Sequence, residues 1–81
     1  MQVNVYSIYD RVAREYGPPF CAKNHGVAMR MYADAVKQAT GDAKDDYEIW
    51  KIGSYDTSTG ILEGNIERFM VDYQNMKEEV E

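Results

Sequence analysis

Cys21 and His25 form the one pairing of a thiol nucleophile with a histidine base that this chain can offer. They flank the start of a helical segment, where the helix dipole would favour a thiolate. No third orienting group and no oxyanion device is recognisable beside them. A single cysteine and a single histidine at such positions more often pack than react, so the pair is read as structural. Metal chemistry has even less to work with. One histidine and one cysteine leave the shell to carboxylates, and neither Asp42, Asp45 and Asp46 nor Asp56 with Ser58 and Gly60 has the spacing of a calcium loop. Glycines 17, 26, 41, 53, 60 and 64 make neither a dinucleotide fingerprint nor a Walker loop. A noncatalytic protein without metal or cofactor is expected.

Stacking and phosphate contact are the chemistry that remains. Arg11, Arg14, Lys23 and Arg30 are interleaved with Tyr9, Tyr16 and Phe20, and cationic grooves lined by aromatic rings are what hold single-stranded nucleic acid. Tyrosines also pack as amphipathic bodies with a wet hydroxyl, and in a thin-cored protein this is their commoner use. The net charge is −5, with opposite signs in the two halves. Residues 1–41 carry five cations (Arg11, Arg14, Lys23, Arg30, Lys37) against three acids, which is +2, and residues 42–81 carry four against eleven, which is −7. The total argues against an extended phosphate-neutralising surface. A local patch survives it, because charges beyond a Debye length of about 8 Å are screened. The expectation is that the early cations gather on one exposed side, away from the later carboxylates.

These side chains must be positioned by few elements, since 81 residues make a single domain that withdraws only about 60 to 65% of its unfolded surface from water. Residues 2–9 are β-branched and aromatic, with Val3, Val5 and Tyr9 on one face and Tyr6 and Ile8 on the other, the pattern of a central strand. Residues 10–23 read as an ordered excursion: about two helix-compatible turns to Tyr16, a break at Gly17-Pro18-Pro19, and a short extended Phe20-Cys21-Ala22. Asn24 as N-cap and Gly41 as a left-handed end bracket a helix over 25–40. Its buried face is expected to be Ala28, Met31, Tyr32, Ala35 and Ala39, flanked by Val27 and Val36.

Residues 47–55 form the next strand, with Trp50 and Ile52 on one face and Tyr47, Ile49 and Tyr55 on the other. Asp56 to Gly60 reverse the chain into a return strand at 61–63. Residues 66–73 read as a fourth strand, with a helix from Asn65 as the alternative, and the acidic tail 74–81 reads as frayed. The fold class is α+β: a small, mostly antiparallel sheet of three to four strands with one main helix on one face. Uncovered sheet edges would suit a homodimer or another chain. Apolar runs too short for a spanning helix or a secretory signal, together with the lone Cys21, point to a soluble protein in a reducing compartment, away from membranes.

Three segments together resemble a known family: Asn4-Val5-Tyr6-Ser7-Ile8-Tyr9-Asp10; Pro19-Phe20-x-Ala22-x-Asn24 leading to Ala28-x-Arg30; and Asp46-Tyr47-Glu48-Ile49-Trp50-Lys51-Ile52-Gly53-Ser54-Tyr55-Asp56-x-x-Thr59-Gly60. Across residues 3–62 the chain is similar to the small nonstructural, DNA-binding protein of gokushovirus-type microviruses, phages with single-stranded DNA genomes. The resemblance implies a viral protein of the infected bacterium's cytoplasm, not a virion component, that serves viral DNA replication or single-strand synthesis. It implies DNA as a partner; the interleaved charges and rings, not the resemblance, place the contact with a single strand at Arg11, Arg14, Lys23, Arg30 and Lys37 with Tyr9, Tyr16 and Phe20. The alternative is a protein-interaction module that engages the viral initiator or a host replication factor through its acidic second half or a free sheet edge.

Overall fold

The computed structural model describes residues 1–40 and 46–72. Its elements are β1 (Gln2–Asp10), β2 (Glu15–Tyr16), β3 (Phe20–Ala22), α1 (His25–Thr40), β4 (Tyr47–Asp56) and β5 (Leu62–Met70). All pairings are antiparallel, in the order β2-β1-β4-β5, with β3 also on β1. The α+β class with a helix on the sheet is as expected, but the sheet has five strands rather than three or four.

The larger sheet comes from residues 10–22. In place of two helical turns, Asp10 closes a hairpin: its Oδ1 accepts from the amides of Val12 (2.9 Å) and Ala13 (3.1 Å), and its carbonyl accepts from Arg14 (2.7 Å). Arg14 takes a left-handed φ of 60° to complete the reversal. The chain then runs back along β1 as one interrupted edge strand. Tyr16 faces Tyr9, Phe20 faces Tyr6 and Ala22 faces Asn4, while Pro18 and Pro19, lacking an N–H, bridge the gap between the two paired pieces. The helix propensity of residues 10–16 lost to the unpaired edge of β1, whose backbone groups needed partners.

The second hairpin matches expectation. Asp56 Oδ1 accepts from Ser58 N at 2.8 Å, its carbonyl accepts from Gly60 N at 2.8 Å, and Gly60 has φ of 77°. Beyond it, the return strand and the fourth strand are one element, β5. The helix alternative from Asn65 fails because Phe69 and Met70 pair with Lys51 and Trp50, which satisfies the second edge of β4. Tyr73 and the tail 74–81 lie outside the described residues, as do Gly41 and most of the connection after α1.

Two register shifts bend the sheet. Val5 faces Gly53 whereas Tyr6 faces Lys51, so Ile52 is an extra residue in β4. On the other side Lys51 faces Phe69 and Gly53 faces Gly64, so the β5 backbone loops between these points. Gly53 is required there, since a Cβ would overlap the Glu63 carbonyl oxygen.

Helix α1 begins as the sequence predicts, with Asn24 Oδ1 accepting from Val27 N at 2.9 Å. Its buried face, however, is turned from the expected one. His25, Ala28 and Val36 are buried and Val27, Met29 and Tyr32 half-buried, whereas Met31 is 42% exposed and Ala35 is exposed; the side chain of Ala39 lies outside the description. The reason is a polar link at the helix start. The Tyr6 hydroxyl accepts from Asn4 Nδ2 at 2.9 Å and lies 2.6 Å from His25 Nδ1, to which its own proton is free to go. This contact docks the first turn and sets the helix rotation. Tyr6, Ala22, Ala28, Ile49 and Val71 form the core, with Phe20 stacked on Tyr6 (5.9 Å) and Phe69 edge-on to His25 (5.5 Å). Burying a side chain such as Ile49 stabilises by roughly 2 kcal/mol.

Candidate nucleic-acid interface

Alternation along the strands divides the side chains cleanly. Tyr6, Phe20, Ala22, Ile49 and Phe69 point to the helix. Their neighbours Cys21, Glu48, Trp50, Arg68 and Met70 point the other way, joined by Tyr9 and Tyr16, which are cross-strand partners. No helix covers this second face among the described residues.

A continuous stack forms there. Tyr9 and Tyr16 have ring centroids 4.6 Å apart. The Arg68 guanidinium lies 4.6 Å from the Tyr16 centroid and 5.2 Å from that of Trp50. Arg68 is on β5 and Tyr16 on β2, three strand spacings apart, or about 14 Å in a flat sheet. Contact between them requires the curl that the two register shifts introduce. Such cation–π contacts contribute about 0.5–1 kcal/mol each where solvent reaches them.

Glu48 holds the platform's indole in place. One carboxylate oxygen accepts from Trp50 Nε1 at 2.9 Å and the other from Arg11 Nε at 2.8 Å. Donation by the indole above all, and then the Arg11 guanidinium, keeps the Glu48 carboxyl below its ordinary range. Asp56 is likewise held low, chiefly by the Ser58 amide in the turn.

The residues expected to meet nucleic acid are divided by the fold. Tyr9 and Tyr16 lie together on the open face, and Arg11 and Arg14 stand in the turn at that end of the sheet, Arg11 with its charge matched by Glu48. Lys23 follows Ala22, which pairs with Asn4, so it stands about 20 Å away along β1. Arg30 and Lys37 are exposed on the helix, across the sheet from the tyrosines, and Phe20 stacks in the core. The early cations therefore do not gather on one side. Cys21 and His25 are also separated: the thiol is exposed on the open side, while the imidazole is buried against Tyr6.

Trp50, Arg68 and Glu48 were not singled out from the sequence. The alternation of Ile49 and Trp50 did carry a signal, because only one of them can face the helix. Arg68 had none, since it lies in the segment whose periodicity fits strand and helix alike.

The fold and this face define a small α+β protein with one sheet surface sealed by a helix and the other presenting rings and a guanidinium. The chain belongs to the phage ORF5 protein family, whose model matches residues 3–76. It is thus a small phage protein. No curated protein and no solved structure matches it.

Proposed function

We propose that the protein is a noncatalytic, nonstructural accessory factor of a gokushovirus-type microvirus, acting in viral DNA replication or single-strand synthesis by weak binding of single-stranded DNA. The observation that carries this reading is the Tyr9–Tyr16–Arg68–Trp50 stack on the face that α1 leaves open. Bases stack on such rings at about 1–3 kcal/mol each without regard to sequence. Arg14, exposed two residues before Tyr16, supplies a cation for the backbone. The short platform and the net charge of −5 keep the affinity low. The resemblance to the microvirus proteins adds the setting: the infected bacterium's cytoplasm, outside the virion and away from membranes.

Binding of a labelled oligonucleotide across a salt series tests the mechanism. Affinity at about 50 mM salt that falls as salt rises is expected; no affinity, or affinity indifferent to salt, removes the phosphate contact.

A second reading rests on the edge of the sheet. Ile61 and Leu62 are 55% and 64% exposed where β5, the outermost strand, begins. An extended segment of the viral initiator or a host replication factor, or the same strand of a second copy in a homodimer, would add to that edge. Capture from infected cells after nuclease digestion separates the readings, because a replication protein retained without DNA favours the edge.

A further inference from the structure

Among the described residues of the open face, the Arg68 guanidinium has its hydrogen-bonding capacity unused. A guanidinium carries five N–H donors and no acceptor. The contacts of Arg68 with Tyr16 and Trp50, at 4.6 and 5.2 Å, are made to ring faces and consume none of these donors. Among the described residues, no acceptor bonds Arg68 and no carboxylate pairs with it. Two rings on different strands thus hold a planar fork of donors at an exposed position.

We infer that this fork is a guanine-reading site: a guanine in a single strand stacks on the platform and presents O6 and N7 to the N–H edge of Arg68. The inference rests on the single-strand-binding reading above and adds a base preference to it. Guanine offers two adjacent acceptors on the edge that a bidentate arginine matches. Adenine places a donor beside N7, and thymine has a single acceptor there. Cytosine can present O2 and N3, but with the smaller stacking area of a pyrimidine. Phosphate also fits a fork, but it is the same in every sequence and creates no preference. Trp50 cannot compete for the guanine acceptors, because its own N–H is engaged by Glu48 at 2.9 Å.

The test compares four labelled oligonucleotides of one length at about 50 mM salt: thymine only, alternating thymine and guanine, alternating thymine and cytosine, and the guanine strand with 7-deazaguanine in place of guanine. The guanine strand should bind on the order of tenfold tighter than the thymine strand. The 7-deaza strand, lacking N7, should lose most of that gain. Arg68→Lys keeps the charge but removes the fork, and should bring the ratio of guanine-strand to thymine-strand affinity close to one, whatever it does to the affinity common to both. Equal affinity for all four strands, or a preference for cytosine, overturns the guanine assignment and leaves the single-strand reading standing. Failure of every strand to bind overturns both. The 7-deaza comparison uses the unaltered protein, so it decides the matter even if the lysine variant folds poorly.

Discussion

The two faces of this sheet are made from alternating residues of the same strands, and they use their polar groups in opposite ways. On the helix side, the Tyr6 hydroxyl is tied to Asn4 and His25, and the surrounding rings pack on one another. On the open side, Glu48 fixes the indole, and Arg68 lies over the faces of Tyr16 and Trp50 with its N–H donors bonded to no acceptor among the described residues. Satisfied polar groups in a dry core specify one arrangement and cost stability when cut. Groups held in place but left unpaired are available to a ligand. One face should therefore answer mutation in stability, and the other in binding.

The sharpest break in that comparison is Tyr6→Ala, which empties the centre of the core and should cost about 4 kcal/mol in urea unfolding. A loss below about 1 kcal/mol would mean that the helix face is not the stabilising one. Gly53→Ala comes next, because its Cβ meets the Glu63 carbonyl where β4 and β5 approach. Destabilisation of about 3 kcal/mol is expected; an unchanged unfolding midpoint would deny the close approach that curls the sheet. On the open face, Trp50→Ala should weaken oligonucleotide affinity by about 2 kcal/mol, roughly thirtyfold, while shifting stability by under about 1 kcal/mol.

Arg14→Gly removes a left-handed strain at φ of 60° and should stabilise the fold by about 1 kcal/mol while reducing the salt dependence of binding. If stability falls instead, the arginine supports the turn and not a ligand. The smallest effect concerns Glu48. Its folded pKa lies below the ordinary glutamate value, so the stabilisation it brings is complete above that value and disappears as pH falls through the lowered one. Fluorescence of Trp50, the single tryptophan, should report this acid transition, and Glu48→Gln should abolish it.

Legibility in the sequence followed the range of the forces involved. The Asn24 cap, the Asp56–Gly60 reversal and the spans of β1 and β4 are written in neighbouring residues and stand where expected, but the extra Ile52 breaks the alternation of β4 and puts Tyr55, opposite Val3, on the face away from Ile49. The β2 strand was missed because two residues carry no periodicity, and its formation depends on an edge of β1 that no local window contains. The helix rotation was misjudged because apolar spacing favoured Met31, while a distant hydroxyl on Tyr6 held His25 and turned Met31 outward. Among the site residues, Tyr9 and Tyr16 come together as cross-strand partners, a pairing the sequence reading does not contain, and the cations grouped by sequence half are separated by the fold.

The sequence by itself determined the local elements, the charge polarity and the types of side chain available for stacking, because these depend on bonds and contacts within a few residues. Only the tertiary structure decided that Arg68 reaches Tyr16, that Glu48 joins Arg11 to Trp50, and that Lys23, Arg30 and Lys37 lie elsewhere. Those outcomes depend on register and sheet curvature. Both arise from pairing between strands distant in the chain, where one inserted residue changes which side chains meet.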